Sequence, residues 1–348
     1  MKTEHLLIMR FSALGDVAML VPVVSSLANQ YPDLRVTVLS RPFARPFFDG
    51  LAPNVGFMEA DLKGEYHGVS GLNALYRRLV AKNFTAIADM HNILRSSYLR
   101  MRFNLGSYRV EHIDKHRSER RQLTAQTGKQ LHQIPTSFEN YADVLRRLGY
   151  PVKIDFNSIF SPTGGNLRLL SDKIGEKKIF QQWVGIAPFA AHEGKIYPTD
   201  KMEQVVAGLI HRHPSCRIFL FGGGDKEHKV LNEWCDKYKN CTNASQLLSS
   251  LQQEMILMSH LDVMLSMDSA NMHLAAISGT RVVSVWGATH PYAGFMGWNQ
   301  NMEDVVQMDM PCRPCSVYGN KKCVRGDYAC MGGIMPDTII EKVEKVLN

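Results

Sequence analysis

Arg10-Phe11-Ser12-Ala13-Leu14-Gly15-Asp16-Val17 lies between an apolar run, residues 5–9, and a run of helical periodicity, residues 17–30. The first run reads as a buried strand and the second as a helix, so the octapeptide is a strand-to-helix turn. Turns of this kind are where open α/β sheets hold their ligands. A second one stands far downstream. Met267-Asp268-Ser269-Ala270-Asn271-Met272-His273-Leu274-Ala275-Ala276 follows the strand-like run 261–265 and opens a helix-like run, 269–278. An acidic residue at the first turn and a phosphate cradle at the second predict two halves that close on one pair of substrates.

The same alternation extends outward from both turns. In the first half, strands are predicted at 5–9, 35–39, 84–88 and 107–113, and helices at 17–30, 43–51, 93–103 and 137–148. Phe160-Ser161-Pro162-Thr163-Gly164-Gly165-Asn166 is rich in turn formers and suits a linker. Beyond it come strands at 183–187, 217–221, 261–265 and 281–286, with helices at 199–211, 225–238, 246–259 and 269–278. Pro336 and Asp337 make a suitable start for a last helix over 336–347. Strand–helix alternation of this kind implies α/β folding, with parallel sheets covered by helices. The predicted domains are 1–165 and 166–335, with a closing helix in 336–348.

The 348 residues are enough for two domains, and 45% hydrophobic with 21% charged residues is ordinary for a globular chain. No stretch reads as a membrane span. Arg10 and Asp16 interrupt any apolar core of a signal peptide, so a cytoplasmic protein is expected. Of the net charge of +7, residues 95–121 carry +5. Such clustering favours an anionic partner: a phosphorylated substrate, a membrane surface or nucleic acid. Four of the seven cysteines are Cys312, Cys315, Cys323 and Cys330. In a cytosolic chain they point to metal or free thiols rather than disulfides.

Four segments carry candidate chemistry. Gly15 lets the backbone turn closely, so that Asp16 projects near a helix start, either into a cleft or as a helix cap. Lys195 sits in a small-residue loop after strand 183–187, as a point charge for a diphosphate or as a solvent-facing lysine. Phe221-Gly222-Gly223-Gly224-Asp225-Lys226-Glu227 offers bare backbone and a carboxylate for a nucleotide, or a tight turn before a helix. Asp268, Ser269, Met272 and His273 lie at a helix start whose N–H groups suit phosphate oxygens; a capped, buried helix is the competing reading.

The run from Arg10 to Val17, continued by Ala18-Met19-Leu20-Val21-Pro22-Val23-Val24, resembles the opening of the lipopolysaccharide heptosyltransferases, glycosyltransferase family nine. Asp268-Ser269-Ala270-Asn271-Met272-His273, with Val285-Trp286-Gly287-Ala288-Thr289-His290-Pro291 after it, is similar to their two late motifs. Ala88-Asp89-Met90-His91-Asn92 is similar to their acceptor-side segment. The resemblance covers nearly the whole chain. It implies two Rossmann-like domains in the GT-B arrangement and inverting, metal-independent transfer of heptose from ADP-heptose to the lipopolysaccharide inner core. On this resemblance Asp16 is the catalytic base, and Lys195, in Lys195-Ile196-Tyr197-Pro198, is the phosphate-binding lysine. Glu227, Asp268, Ser269, Met272 and His273 bind the donor. Ala270, Ala288 and Phe189-Ala190-Ala191 depart from the family pattern, the last by removing a hydroxyl near the donor phosphates.

Arg95, Arg117, Arg120 and Arg121 are assigned to an anionic lipopolysaccharide precursor, with peripheral contact at the inner membrane face and no nucleic acid. No cofactor is expected for the transfer. The spacing Cys-x2-Cys-x7-Cys-x6-Cys fits either a structural zinc or a packed set of reduced thiols. The alternatives are a transferase of the same architecture using another nucleotide sugar, an epimerase, or a zinc-containing nucleic-acid-binding protein.

Overall fold

The structure, a computed structural model, describes residues 4–348. It divides into two compact units. The first runs to Lys115 and resumes over Pro135–Ile159, and the second comprises His116–Ile134 and Phe160–Asn348.

The first unit holds β1 (His5–Met9), β2 (Arg35–Ser40), β3 (Val55–Glu59), β4 (Ala86–Asp89) and β5 (Arg109–His112) in the order β3-β2-β1-β4-β5. All pairings are parallel. β1 is central: Leu6 faces Val36 on one side and Ala86 on the other. Helices cover both faces of such a sheet, which is why β1 reads as an unbroken apolar run instead of alternating. Leu6, Leu7, Ile8 and Met9 are fully buried, each contributing about 1.5–3 kcal/mol of transfer free energy.

The second unit holds β6 (Trp183–Ala187), β7 (Arg217–Leu220), β8 (Cys241–Asn243), β9 (Val263–Met267), β10 (Val282–Trp286) and β11 (Val305–Gln307). Their order is β11-β10-β9-β6-β7-β8, again all parallel. Both sheets therefore start in the middle, step one way, then return and step the other way. The reversal leaves a crevice at the carboxyl ends of β1 and β4 in the first unit, and of β6 and β9 in the second. Among the described residues no helix is long and apolar enough to cross a membrane.

Four expectations are corrected. Residues 116–134 belong to the second unit, not the first. Lys129 donates to the carbonyls of Pro311 and Pro314, and Ile134 N–H donates to Tyr292 O, so this excursion is bonded to the second unit's long C-terminal loop. Helix Pro336–Leu347 is no separate closing element. Its Ile339, Ile340 and Val343 join Met202, Val205 and Leu209 in the second unit's core. The helix predicted over 246–259 is two, Ala244–Leu247 and Leu251–Met258. Ser250 is extended between them, and its hydroxyl caps the second by accepting Gln253 N–H. Likewise the run 17–30 folds as Leu14–Ala18 and Leu20–Gln30.

Candidate active site

In the first unit the crevice is built from the loops after β1 and β4. Asp16 is the third residue of helix Leu14–Ala18. Its carboxylate accepts the N–H of Ala13 at 3.1 Å and pairs with Arg10 at 2.8 Å. Capping and projection are thus both true of it: the side chain caps its own helix and keeps 26% of its exposure. Arg10 is itself buried, donates to Met90 O and lies over the Tyr141 ring. Tyr141 in turn donates to the backbone carbonyl of Asp16. The carboxylate is held from both sides, by a guanidinium and by its own anchored backbone.

Asp89 ends β4, fully buried, and shapes the facing loop. It accepts the N–H groups of His91 and Asn92 and pairs with Arg100 at 3.1 Å. Asn92 takes a left-handed φ of 49°, which lets both N–H groups turn back to one carboxylate. His91 Nδ1 accepts from Phe11 N–H at 3.3 Å, so the neutral ring carries its proton on Nε2, beside Ser12 Oγ. Burial, then the charge of Arg10, drives the imidazole down to about 3. His91 is a neutral strut between the two loops.

In the second unit Lys195 follows β6 and Asp268 follows β9. The Lys195 ammonium lies 3.0 Å from Asp268, and Thr289 Oγ1 donates to the same carboxylate oxygen at 2.8 Å. Asp268 is almost fully buried. It therefore aims the lysine at the start of helix Ala270–Ile277. Ser269 stands at the N-cap without a side-chain cap bond, leaving first-turn N–H groups to an outside acceptor. An ammonium and a helix N-terminus each favour an anion.

The long loop after β11 fixes this patch. Gly319 has φ +78°, and a Cβ there would stand 2.4 Å from Lys195 Cδ. Tyr328 donates to Glu193, in the turn that carries Lys195, and Ala288 N–H donates to Gly194 O. Arg120 reaches the same loop: it donates to Tyr318 at 2.8 Å and lies over the Phe295 and Tyr318 rings.

The predicted residues divide as follows. Asp16 stands at one crevice, and Lys195, Asp268 and Ser269 converge at the other. Met272 and His273 are buried on the helix behind Ser269. Glu227 turns inward to accept Gly223 N–H at 2.7 Å, steadying the glycine turn. The four arginines assigned to one acceptor surface lie on different units: Arg95 on the first, and Arg117, Arg120 and Arg121 on the second. Arg120 is occupied by its aromatic clamp, whereas Arg117 and Arg121 are exposed. Cys312, Cys315, Cys323 and Cys330 line one small cavity together with Arg313. Among the described residues no three His, Cys, Asp or Glu side chains stand together as a metal site. Burial raises the thiols of Cys315 and Cys330, keeping them protonated near neutrality. Sequence reading gave no role to Arg10, Tyr141 or Gly319, because the Arg10–Tyr141 and Gly319–Lys195 contacts join residues remote in the chain.

The profile of glycosyltransferase family 9 (heptosyltransferase) matches residues 72–324. Over 138 residues the chain is 26% identical to lipooligosaccharide heptosyltransferase 2 of Campylobacter jejuni, which is 38% of this chain and 41% of that relative's length. The crystal structure of a family 9 glycosyl transferase from Veillonella parvula superposes with a TM-score of 0.74 at 16% identity, covering 100% of this chain and 98% of that one. The E. coli heptosyltransferase WaaC with ADP gives 0.68 at 15%, covering 98% and 99%. At these identities the structural likeness concerns the fold, two Rossmann-like domains of the GT-B class. With the matched profile spanning well over half its length, the chain belongs to glycosyltransferase family 9, the heptosyltransferases.

Proposed function

We propose that this protein transfers a heptose from ADP-heptose to a hydroxyl of the lipopolysaccharide inner core, with inversion at the anomeric carbon. The observation that carries this reading is the chemistry at the two crevices, a held carboxylate in one unit and an ammonium beside an open helix start in the other. A single displacement needs a base for the acceptor hydroxyl, and the partly exposed Asp16 carboxylate is placed for that task. It also needs charge stabilisation of the departing diphosphate. Lys195 and the N–H groups after Ser269 supply this, with Asp268 as the residue that positions the lysine. WaaC was solved with ADP, which supports an adenine nucleotide as the donor's carrier here.

The test is incubation with ADP-heptose, other nucleotide sugars and core acceptors, read by mass spectrometry and by the anomeric coupling of the product. Heptose addition with ADP release is expected, undiminished in excess EDTA because Lys195 supplies the countercharge. Transfer from a different nucleotide sugar alone would replace the donor assignment. Activity lost to EDTA and restored by Mg²⁺ would refute the metal-free mechanism.

The acceptor's lipid brings the enzyme to a membrane surface. Helix Leu94–Leu105 supports this: Leu94, Met101 and Leu105 are 91%, 50% and 79% exposed. Their spacing puts them on one face, and the helix carries three arginines and no acidic residue. Flotation with anionic vesicles should fall when Leu94 and Leu105 are both changed to Gln; equal flotation would remove this contact.

A further inference from the structure

Along the edge strand β3 of the first sheet lies a cavity of about 280 Å³, lined by His5, Arg35, Arg45, Glu59, Arg78 and Lys82 among others. His5 opens β1 while the Arg10–Asp16 loop follows its far end, about 13 Å away along the strand. No lining residue belongs to the loops after β1 and β4, so the cavity is separate from the crevice that holds Asp16.

Its charge is unbalanced. Glu59 is matched to Arg45 at 2.8 Å. Arg35, Arg78 and Lys82 make no ion pair among the described residues. Three cations around one concavity repel each other unless an anion is present. The floor is rigid. His5 is buried and packs against Phe84 in a tilted arrangement, ring centroids 4.3 Å apart. Its Nδ1–H donates to Lys82 O at 3.1 Å, so Nε2 accepts from the Thr37 hydroxyl at 2.8 Å. Gly56 keeps the space open: a Cβ there would meet only Val36 O, at 3.9 Å.

We propose that this cavity binds a small phosphate-bearing anion, held by Arg35, Arg78 and Lys82 over the His5–Thr37 floor. Its volume suits a phosphate with a small organic part rather than a whole nucleotide. Phe57 and Met58 also line the cavity. A free phosphorylated metabolite and a lipid headgroup share this chemistry.

His5 is a local reporter. Burial lowers its pKa, and the charges of Arg35 and Lys82 lower it further. An anion between them offsets those charges and moves the ring's resonances. The experiment follows the ¹³C-labelled His5 ring in a Lys195→Ala background, where the diphosphate site proposed above is disabled. Inorganic pyrophosphate and a water-soluble, short-chain phosphatidic acid are the two probes. Saturable shifts of His5 are expected with at least one probe. Pyrophosphate alone identifies a soluble ligand, and phosphatidic acid alone a headgroup. Arg35→Gln with Lys82→Gln should weaken binding by about tenfold or more, the scale of lost charge-assisted hydrogen bonds. Gly56→Ile should block it by filling the space, without touching any charge. Lys178→Gln, on the other unit, should change nothing. The proposal is overturned if neither probe shifts His5 saturably, or if the folded double variant and Gly56→Ile both bind as the parent does.

Discussion

In the proposed mechanism the Asp16 carboxylate serves structure and chemistry together. It accepts from Ala13 N–H and from Arg10, yet remains a quarter exposed. An amide is the same size and can keep the bond from Ala13 N–H, but it is no base. Asp16→Asn should therefore cut turnover by about 10²–10⁴-fold with the fold intact and ADP affinity unchanged. Turnover near that of the parent would move the base elsewhere. The sequence pointed to Asp16 through the turn that carries it. It gave no sign of Arg10 and Tyr141, because an Arg–Tyr contact across more than 120 residues leaves no local pattern.

Among elements, the loop after β11 matters beyond its cysteines. Gly319 packs its bare backbone on the Lys195 stem, and Tyr328 holds the preceding turn through Glu193. A methyl at residue 319 must push the lysine aside and also sit at a positive φ. Gly319→Ala is expected to raise donor KM or lower kcat on the order of tenfold or more, since misplacement of about 1 Å is that costly. Its circular dichroism should stay that of the parent. Steady-state kinetics equal to the parent's would show that the lysine finds its place without the loop. Helix Arg117–Leu123 belongs to the same assembly through Arg120. Its basic character suggested a binding face, but one of its three arginines has a structural partner.

Across the whole molecule, each unit carries a buried histidine whose Nδ1 accepts a backbone N–H: His91 from Phe11 in the first, His290 from Tyr292 in the second. Burial, reinforced by Arg10 and Arg313 respectively, lowers them to about 3 and about 4. Below pH 6.5 the unfolded chain takes up these protons while the folded chain refuses them. Stability is thus full above pH 6.5 and falls as pH drops toward the folded values, by about 2 kcal/mol per histidine at pH 5. Melting temperature should decline steadily from pH 7 to pH 5. His91→Gln should flatten that decline relative to its own value at pH 7. An unchanged slope would exclude His91 as a source.

The sequence by itself determined the α/β class, the two strand-to-helix turns with Asp16 and Asp268 as their acidic residues, and Lys195 in the loop after β6. These are local properties: unbroken apolar runs for strands buried on both faces, and Gly or small residues where a strand gives way to a helix. Tertiary structure decided which turns share a crevice, because strand order is set by crossover packing that no local window records. It also decided that residues 116–134 and the last helix join the second unit. Segment membership depends on partners such as Lys129 with Pro314, or Ile340 against Gly208. Those partners become neighbours only once both chains of strands have closed into sheets.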